Sequence, residues 1–475
     1  MPGNPFEAML STPAMQAVFD APAIAQAMLD FEAALAQAEA LEGVIPTAAA
    51  QLIALACCVD SIDLEAWIGD SRRAGSLAIP LVKQLTRRVA EHDDVAASWV
   101  HWGSTSQDVI DTAMVLATRR ALALVDADLQ RLAAALLALA AREGDAPLLA
   151  RTLMQPASVI ALGFKIAGWV APLLRCRQRL QRAANEALRL QFGGAVGTLA
   201  TLGDAGPAVA RRVAALLGLP TSPDEPHHAW HTQRDAWVAF GCELAVLGGV
   251  CAKFARDLSL MAQAEVGEMN EPAVPGKGGS SAMPHKRNPV ACLQALAAAE
   301  RTPQRAASLL SAMAQEHERG LGNWQAELAE WVGLWTGVHA ALAALAEAAE
   351  GLEVDRLRMR ANIDALQGLV FAEACTARLA AVIGRPRAQA LLEQLSARVA
   401  AVGRPLQALL LEAIAQDSEL AASLSPADIA PLFDSTAAAQ LAVARATPWL
   451  AALGHELPPR TSTRTSNPAH DPPPG

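Results

Sequence analysis

From Val115 onward, the positions Thr118, Leu122, Val125, Leu129, Leu132, Leu136 and Leu139 follow one another at alternating steps of three and four residues. All but Thr118 are apolar, so they draw a stripe along one side of a helix about seven turns long. A period near 3.5 favours long helices packed at shallow angles, as in a bundle. Further helical patterns cover roughly 158–190, 230–266, 289–316 and 328–351. Strand signals are nearly absent: tyrosine is missing, and alternating runs of β-branched residues are hard to find. The expected fold class is all-α.

A chain of 475 residues exceeds one small core. The punctuation divides it into an N-terminal helical domain (1–112), a central bundle (113–358) and a C-terminal helical domain (359–457). The tail 458–475, rich in Pro, Ser and Thr, is expected to be disordered. With 52% hydrophobic and 18% charged residues, membrane insertion has to be considered. The longest apolar runs, such as Leu132 to Ala141, are closed by charges and fall short of the ~20 residues a bilayer requires. No membrane span is expected, and the apolar excess is assigned to subunit interfaces.

The N-terminus has no basic stretch followed by an apolar one, so no secretory signal is expected. Seven cysteines without a CxxC pair read as reduced, buried thiols of a cytoplasmic protein, not as a zinc site. The net charge of −10 argues against nucleic acid as a partner.

Four segments concentrate polar groups. His101-Trp-Gly-Ser-Thr-Ser-Gln-Asp108 precedes the long helix and is either an anion cradle or a helix cap with Asp108 in the first turn. Arg151-Thr-Leu-Met-Gln155 reads as a polar helix entrance. His227-His-Ala-Trp-His231-Thr-Gln-Arg-Asp235 matches no familiar metal spacing; a helix start with Gln233 and Arg234 facing a ligand is the better reading. The fourth, Gly278-Gly-Ser-Ser-Ala-Met-Pro-His-Lys-Arg-Asn-Pro289, places Ser280 and Ser281 on a glycine hinge and Lys286 and Asn288 at the next helix entrance. A lysine charge and an amide donor suit a carboxylate. No dinucleotide fingerprint, phosphate loop or metal-spaced carboxylate cluster is present, so neither cofactor nor metal is implied.

The fourth segment resembles the signature loop of the fumarase/aspartase superfamily. The resemblance spans nearly the whole chain. It implies an all-helical, three-domain subunit and a homotetramer with a twenty-helix core, whose active sites are shared between subunits. Within the superfamily, 79–86, 100–108, 191–199, 230–235, 265–268 and 317–324 are more similar to a cycloisomerase branch than to the lyases. The adenylosuccinate lyases share the loop but carry a histidine where this chain has Leu153. They also carry serines and a second arginine where it reads Gly320-Leu-Gly-Asn-Trp-Gln-Ala-Glu-Leu328. An amine leaving group needs a general acid, commonly worth ~10²–10⁴-fold; a carboxylate leaves as a stable anion and needs far less.

The resemblance implies a cofactor-free proton transfer beside a carboxylate, through an aci-carboxylate, on a small tricarboxylate. By matching motif positions, Ser280 is the proton-transfer group, and Lys286 and Asn288 hold the carboxylate that gains charge. Thr105 and Ser106 donate to a substrate carboxylate, while Thr152, Gln155, Gln233 and Arg319 are further candidates. His101 binds a carboxylate or orients its segment. A C–N lyase of the same superfamily and a non-catalytic structural protein are the alternatives.

Overall fold

In a computed structural model, the described residues are 4–220, 229–279, 283 and 285–457. The expectations for Ser280, Ser281, His227 and the tail therefore lie outside them.

The stripe lies on a helix, Ser106–Glu143. Val125, Leu129, Leu132, Leu136 and Leu139 are buried, and Leu122 partly so. Thr118 is buried as well and accepts a hydrogen bond from Trp331 Nε1 at 2.9 Å, which accounts for the one polar position in the stripe. The helix packs against Leu162–Ala187 and Asn323–Ala349, and these pack in turn around Asp235–Met261. The fifth rod of this bundle is two helices, Val290–Ala299 and Thr302–Ala312, where one helix over 289–316 was expected. Pro303 explains the break: it lacks the N–H that would bond to Ala299 O, and the Thr302 hydroxyl donates to that carbonyl instead, at 2.8 Å. Apolar side chains from Met15 to Met359, together with Leu453, form one continuous cluster, and a second lies among the helices of 372–429.

The fold is all-α, with two small antiparallel ladders that the periodicity does not announce. Pro147–Thr152 pairs with Gln155–Ala161, and Met269–Asn270 pairs with Glu353–Val354. The segment read as a helix entrance at 151–155 is thus the tip of a hairpin, and the helix starts only at Leu162. Leu153 and Met154 form its two-residue turn, both with positive φ (49° and 67°). Asn and Gly usually fill such a turn, so Leu-Met gave no signal. Its strand faces were equally hard to read, because the buried residues do not alternate cleanly: Leu148 and Leu149 are adjacent, Leu148 in the main core and Leu149 with Val159 and Ala161 against Ile363 and Phe371.

A second correction concerns the membrane. Asp235–Met261 and Asn323–Ala349 are each long and apolar enough, by composition, to cross a bilayer. Charges interrupt both, which hid them from a search for unbroken runs. The two helices face each other: Trp237 stacks on Trp331 at 3.9 Å, and Phe240 meets Trp335 edge-on. Their charged residues pair sideways, Glu243 with Arg179 and Glu330 with Arg305. Of the seven thiols, all free, Cys58 is exposed where a buried one was expected.

Candidate active site

The first segment ends in a capping box: the Thr105 hydroxyl accepts from the backbone N–H of Asp108, and the Asp108 carboxylate accepts from Thr105 N–H at 3.1 Å. A hydroxyl that accepts this bond still has its own proton to donate, so cap and carboxylate donor are compatible roles for Thr105. Asp108 is fully buried and does more than cap. It also accepts from the N–H groups of Gly193 (3.1 Å) and Gly194 (2.9 Å), and His231 Nε2 lies 2.7 Å away. Gly194 has φ 67°, and a Cβ there would meet Gly103 O at 2.8 Å, so the two loops touch backbone to backbone. Arg319 closes the assembly by donating from Nε to Ala195 O (3.1 Å) and from Nη2 to Gly194 O (2.9 Å).

Three sequence-distant segments therefore converge on one buried carboxylate, and Arg319 fastens one of them from outside. His101 stands beside them with φ 61°, its Nδ1 2.6 Å from Oε1 of the buried Glu32. Sequence reasoning missed Asp108 as the hub, although the Thr105-x-x-Asp108 spacing signalled the cap. It missed Glu32 too, an acidic residue on the apolar face of Ala21–Leu41.

Arg234 does not face a ligand. It is buried, with its guanidinium paired to Asp111 (Nη1 to Oδ2, 2.8 Å) and Glu327, and it lies 4.4 Å from the Trp230 ring. Trp324 Nε1 donates to Asp111 Oδ1 at 2.9 Å, and Gln107 and Gln191 donate to Oδ2. Burial works to lower the Arg234 pKa, but Asp111 and Glu327 outweigh it and hold the group firmly protonated. Arg234→Met strands two buried carboxylates. It is expected to cost about 3–5 kcal/mol in a denaturant titration, while replacing all three charges by apolar residues of similar volume should cost much less. Gln233, the other candidate of that segment, is exposed just before the helix start.

The remaining described candidates lie elsewhere. Lys286 is exposed and Asn288 partly buried, on the wall of a cleft of about 360 Å³ shared with Asn270, Glu271, Lys277 and Arg287. The base of this loop is fastened. Asn288 N–H donates to Gly278 O (2.8 Å), Lys277 pairs with Glu347 (2.9 Å), and Arg287 donates to Glu271 O (2.8 Å). A Cβ on Gly278 would come 2.6 Å from Asn288 O, so only glycine fits there. The Glu271 carboxylate accepts from the N–H groups of Ala291 (3.0 Å) and Cys292 (2.9 Å). That helix start is already satisfied, which leaves the Lys286 and Asn288 side chains for an anion.

Thr152 and Gln155 are exposed and face each other across the hairpin turn. The hairpin is tied to the loop end of the bundle by Arg151, which holds the fully buried Glu268 with two bonds of 2.9 and 2.8 Å. Asn362 donates to the same carboxylate.

The candidates thus form two groups at opposite ends of one rod. Thr105 precedes the first turn of Ser106–Glu143, and the hairpin follows its last. At the helical rise its 38 residues span about 57 Å, while a six-residue strand reaches only about 20 Å. His101, Thr105, Ser106, Gln233 and Arg319 are at one end; Thr152, Gln155, Lys286 and Asn288 are at the other. Among the described residues no three His, Cys, Asp or Glu side chains converge as metal ligands.

A helical bundle carrying this loop is the architecture of the fumarase/aspartase-type lyases, and the chain belongs to that family: the model described as "Lyase" matches residues 7–302. Among its relatives are the 3-carboxy-cis,cis-muconate cycloisomerases of Bradyrhizobium diazoefficiens (49% identical, covering 90% of this chain and 93% of the relative) and Pseudomonas aeruginosa (47%, 90% and 92%). The crystal structure of the 3-carboxy-cis,cis-muconate lactonizing enzyme from Pseudomonas putida superposes with a TM-score of 0.86 at 42% identity, covering 95% of this chain and 98% of that one.

Proposed function

We propose that the chain is an enzyme that interconverts 3-carboxy-cis,cis-muconate and its lactone without a cofactor. The observation that carries this reading is end-to-end similarity, at up to 49% identity, to enzymes named for that reaction. The chemistry asks for little beyond what the candidate residues supply. One carboxylate adds to a double bond, a proton is delivered to the adjacent carbon, and the charge gathered on the neighbouring carboxyl group must be stabilised. Ser280 transfers the proton. Lys286 and Asn288 hold the carboxyl group that becomes the aci-acid, where fixed donors act most strongly. Thr105 and Ser106 bind a second carboxylate. The exposed Thr152, Gln155 and Gln233 are available for the rest, and Arg319 acts through the Gly194 loop it fastens.

These groups cannot meet within one subunit, because about 57 Å of helix separates the two ends. We infer that a homotetramer with a twenty-helix core brings the loop and hairpin end of one copy against the Thr105 end of another. The hairpin tip supports this: Leu153 is 96% exposed and Met154 71%, both in a backbone conformation costly for such residues. A tip of this kind is suited to burial in a neighbour. The three-domain division at 112 and 358 and a cytoplasmic location complete the reading.

The test is direct. Purified protein mixed with 3-carboxy-cis,cis-muconate should abolish the conjugated-diene absorbance and yield the lactone. Turnover of an aminosuccinate with no loss of diene absorbance would replace this reading by that of a C–N lyase.

A further inference from the structure

We infer that Glu32 is a positioning residue: through its 2.6 Å contact with His101 Nδ1 it fixes the ring so that Nε2 carries a proton toward a substrate carboxylate. This rests on the proposed function and, of the two roles the sequence leaves open for His101, on the binding of a substrate carboxylate.

The geometry is specific. Glu32 projects from the buried side of Ala21–Leu41 and is 1% exposed, whereas the His101 side chain is 19% exposed. The second oxygen of Glu32, Oε2, is buried with no hydrogen-bond partner, so the carboxylate's charge is spent on one contact. His101 is held in a left-handed backbone conformation, φ 61°, which such residues rarely adopt and which fixes where the ring sits.

A carboxylate at Nδ1 decides what the other nitrogen presents. It requires a proton on Nδ1, so a neutral ring would offer a lone pair at Nε2 and repel an anion. Only the doubly protonated ring can hold Glu32 on one side and a carboxylate on the other. Substrate binding is thereby coupled to one proton.

The surrounding groups agree. Burial alone would lower the His101 pKa, but Glu32, with a smaller contribution from Asp108, outweighs it and the ring titrates above its usual range. Asp108 is itself shared among Thr105 N–H, the Gly193 and Gly194 N–H groups and His231, which leaves Glu32 as the principal counter-charge. Glu39, two turns along the same helix, is buried with both oxygens unpartnered; burial first, and Glu32 second, push it up to about 9. It is neutral at physiological pH and adds no competing charge. Cys57, also near Glu32, is driven upward by burial and stays a thiol. Arg319 is engaged with the Gly194 and Ala195 carbonyls.

The experiment is the pH profile of KM for 3-carboxy-cis,cis-muconate in the full assembly. In the parent, KM should stay low through neutral pH and rise only above the elevated His101 titration. Glu32→Gln should move that rise down to ~6.5 or below, and raise KM at pH 8 by roughly 10–100-fold, the scale of one charge-assisted hydrogen bond. The loss should fall on KM more than on kcat. Glu32→Asp, which keeps the charge, should retain most of the parent profile, and it guards against misreading a folding defect. A profile displaced equally by Gln and Asp, or unmoved by Gln, overturns the proposal. His101→Gln separates the two levels of the argument. If it leaves KM unchanged, His101 is not a substrate ligand and the inference falls with that reading. If it raises KM while Glu32→Gln does not, only the role of Glu32 is lost.

Discussion

Ser280→Ala, and separately a Thr105→Val/Ser106→Ala double variant, are each expected to lose about 10²–10⁴-fold in kcat/KM, yet subunits of the two, mixed and reassembled, are expected to regain activity. The first loss has the size of removing a proton-transfer group. The second has the size of removing two hydrogen bonds to a carboxylate, each worth about 1.5–3 kcal/mol. Recovery follows from geometry. Thr105 and Ser106 sit at the start of a 38-residue helix, and the base of the signature loop lies by its far end, where Arg287 pairs with Glu353 and Arg356 with Glu143. A site that draws its serine from one copy and its hydroxyls from another can be wholly intact in a mixed assembly. A cross of either variant with itself leaves every site damaged. Activity in the mixture is read against each variant reassembled alone, and no recovery would place both groups in one subunit and overturn the shared site.

Asp108→Ala is expected to damage stability and turnover together. It removes the acceptor for three backbone N–H groups and for His231, all but enclosed by protein. Each buried group left unsatisfied costs about 1–3 kcal/mol, and since such costs are not additive the sum should be on the order of 3–6 kcal/mol. The same change releases the Gly193–Gly194 turn, to which Arg319 is attached, and loosens the cap that sets Thr105. Misplacement by about 1 Å can cost 10²-fold in rate, so kcat/KM should fall at least that far. Asp108→Asn keeps acceptor capacity on one side only and should lie between. A denaturant midpoint and a kcat/KM both within error of the parent would show that Asp108 is not the hub.

Much of the fold was legible because its signal is repetitive. The alternating stripe from Val115 to Leu139 reports a single rod, and burial follows it position by position. The hairpin at 147–161 was not legible: its turn uses Leu153-Met154 in place of glycine or asparagine, and its strands have no clean alternation. The two helices over 230–266 and 328–351 were legible, but their membrane-length apolarity was hidden, since charges interrupt each run in sequence while pairing sideways in space. For the site, the motif stretches identified which segments to inspect but not what each residue does. Arg234 looked like a ligand group because arginine at a helix start suits anions; its actual partners, Asp111 and Glu327, are 123 and 93 residues away. Glu32 was invisible because its significance depends wholly on His101, 69 residues on.

The hydrogen bond from Trp331 to Thr118 has a mechanical consequence. A stripe that repeats every seven residues presents much the same apolar surface after a slide of one heptad, about 10 Å along the axis. Packing alone would barely distinguish the two alignments. The hydroxyl in the stripe and the indole N–H opposite it act together with Asp111 and Trp324 one heptad earlier, like two pins in a ratchet: a slide of one heptad re-pairs one indole and leaves another of the four groups unmatched. The rod that separates the two groups of candidate residues is in this way locked at one setting, and with it the distance between them.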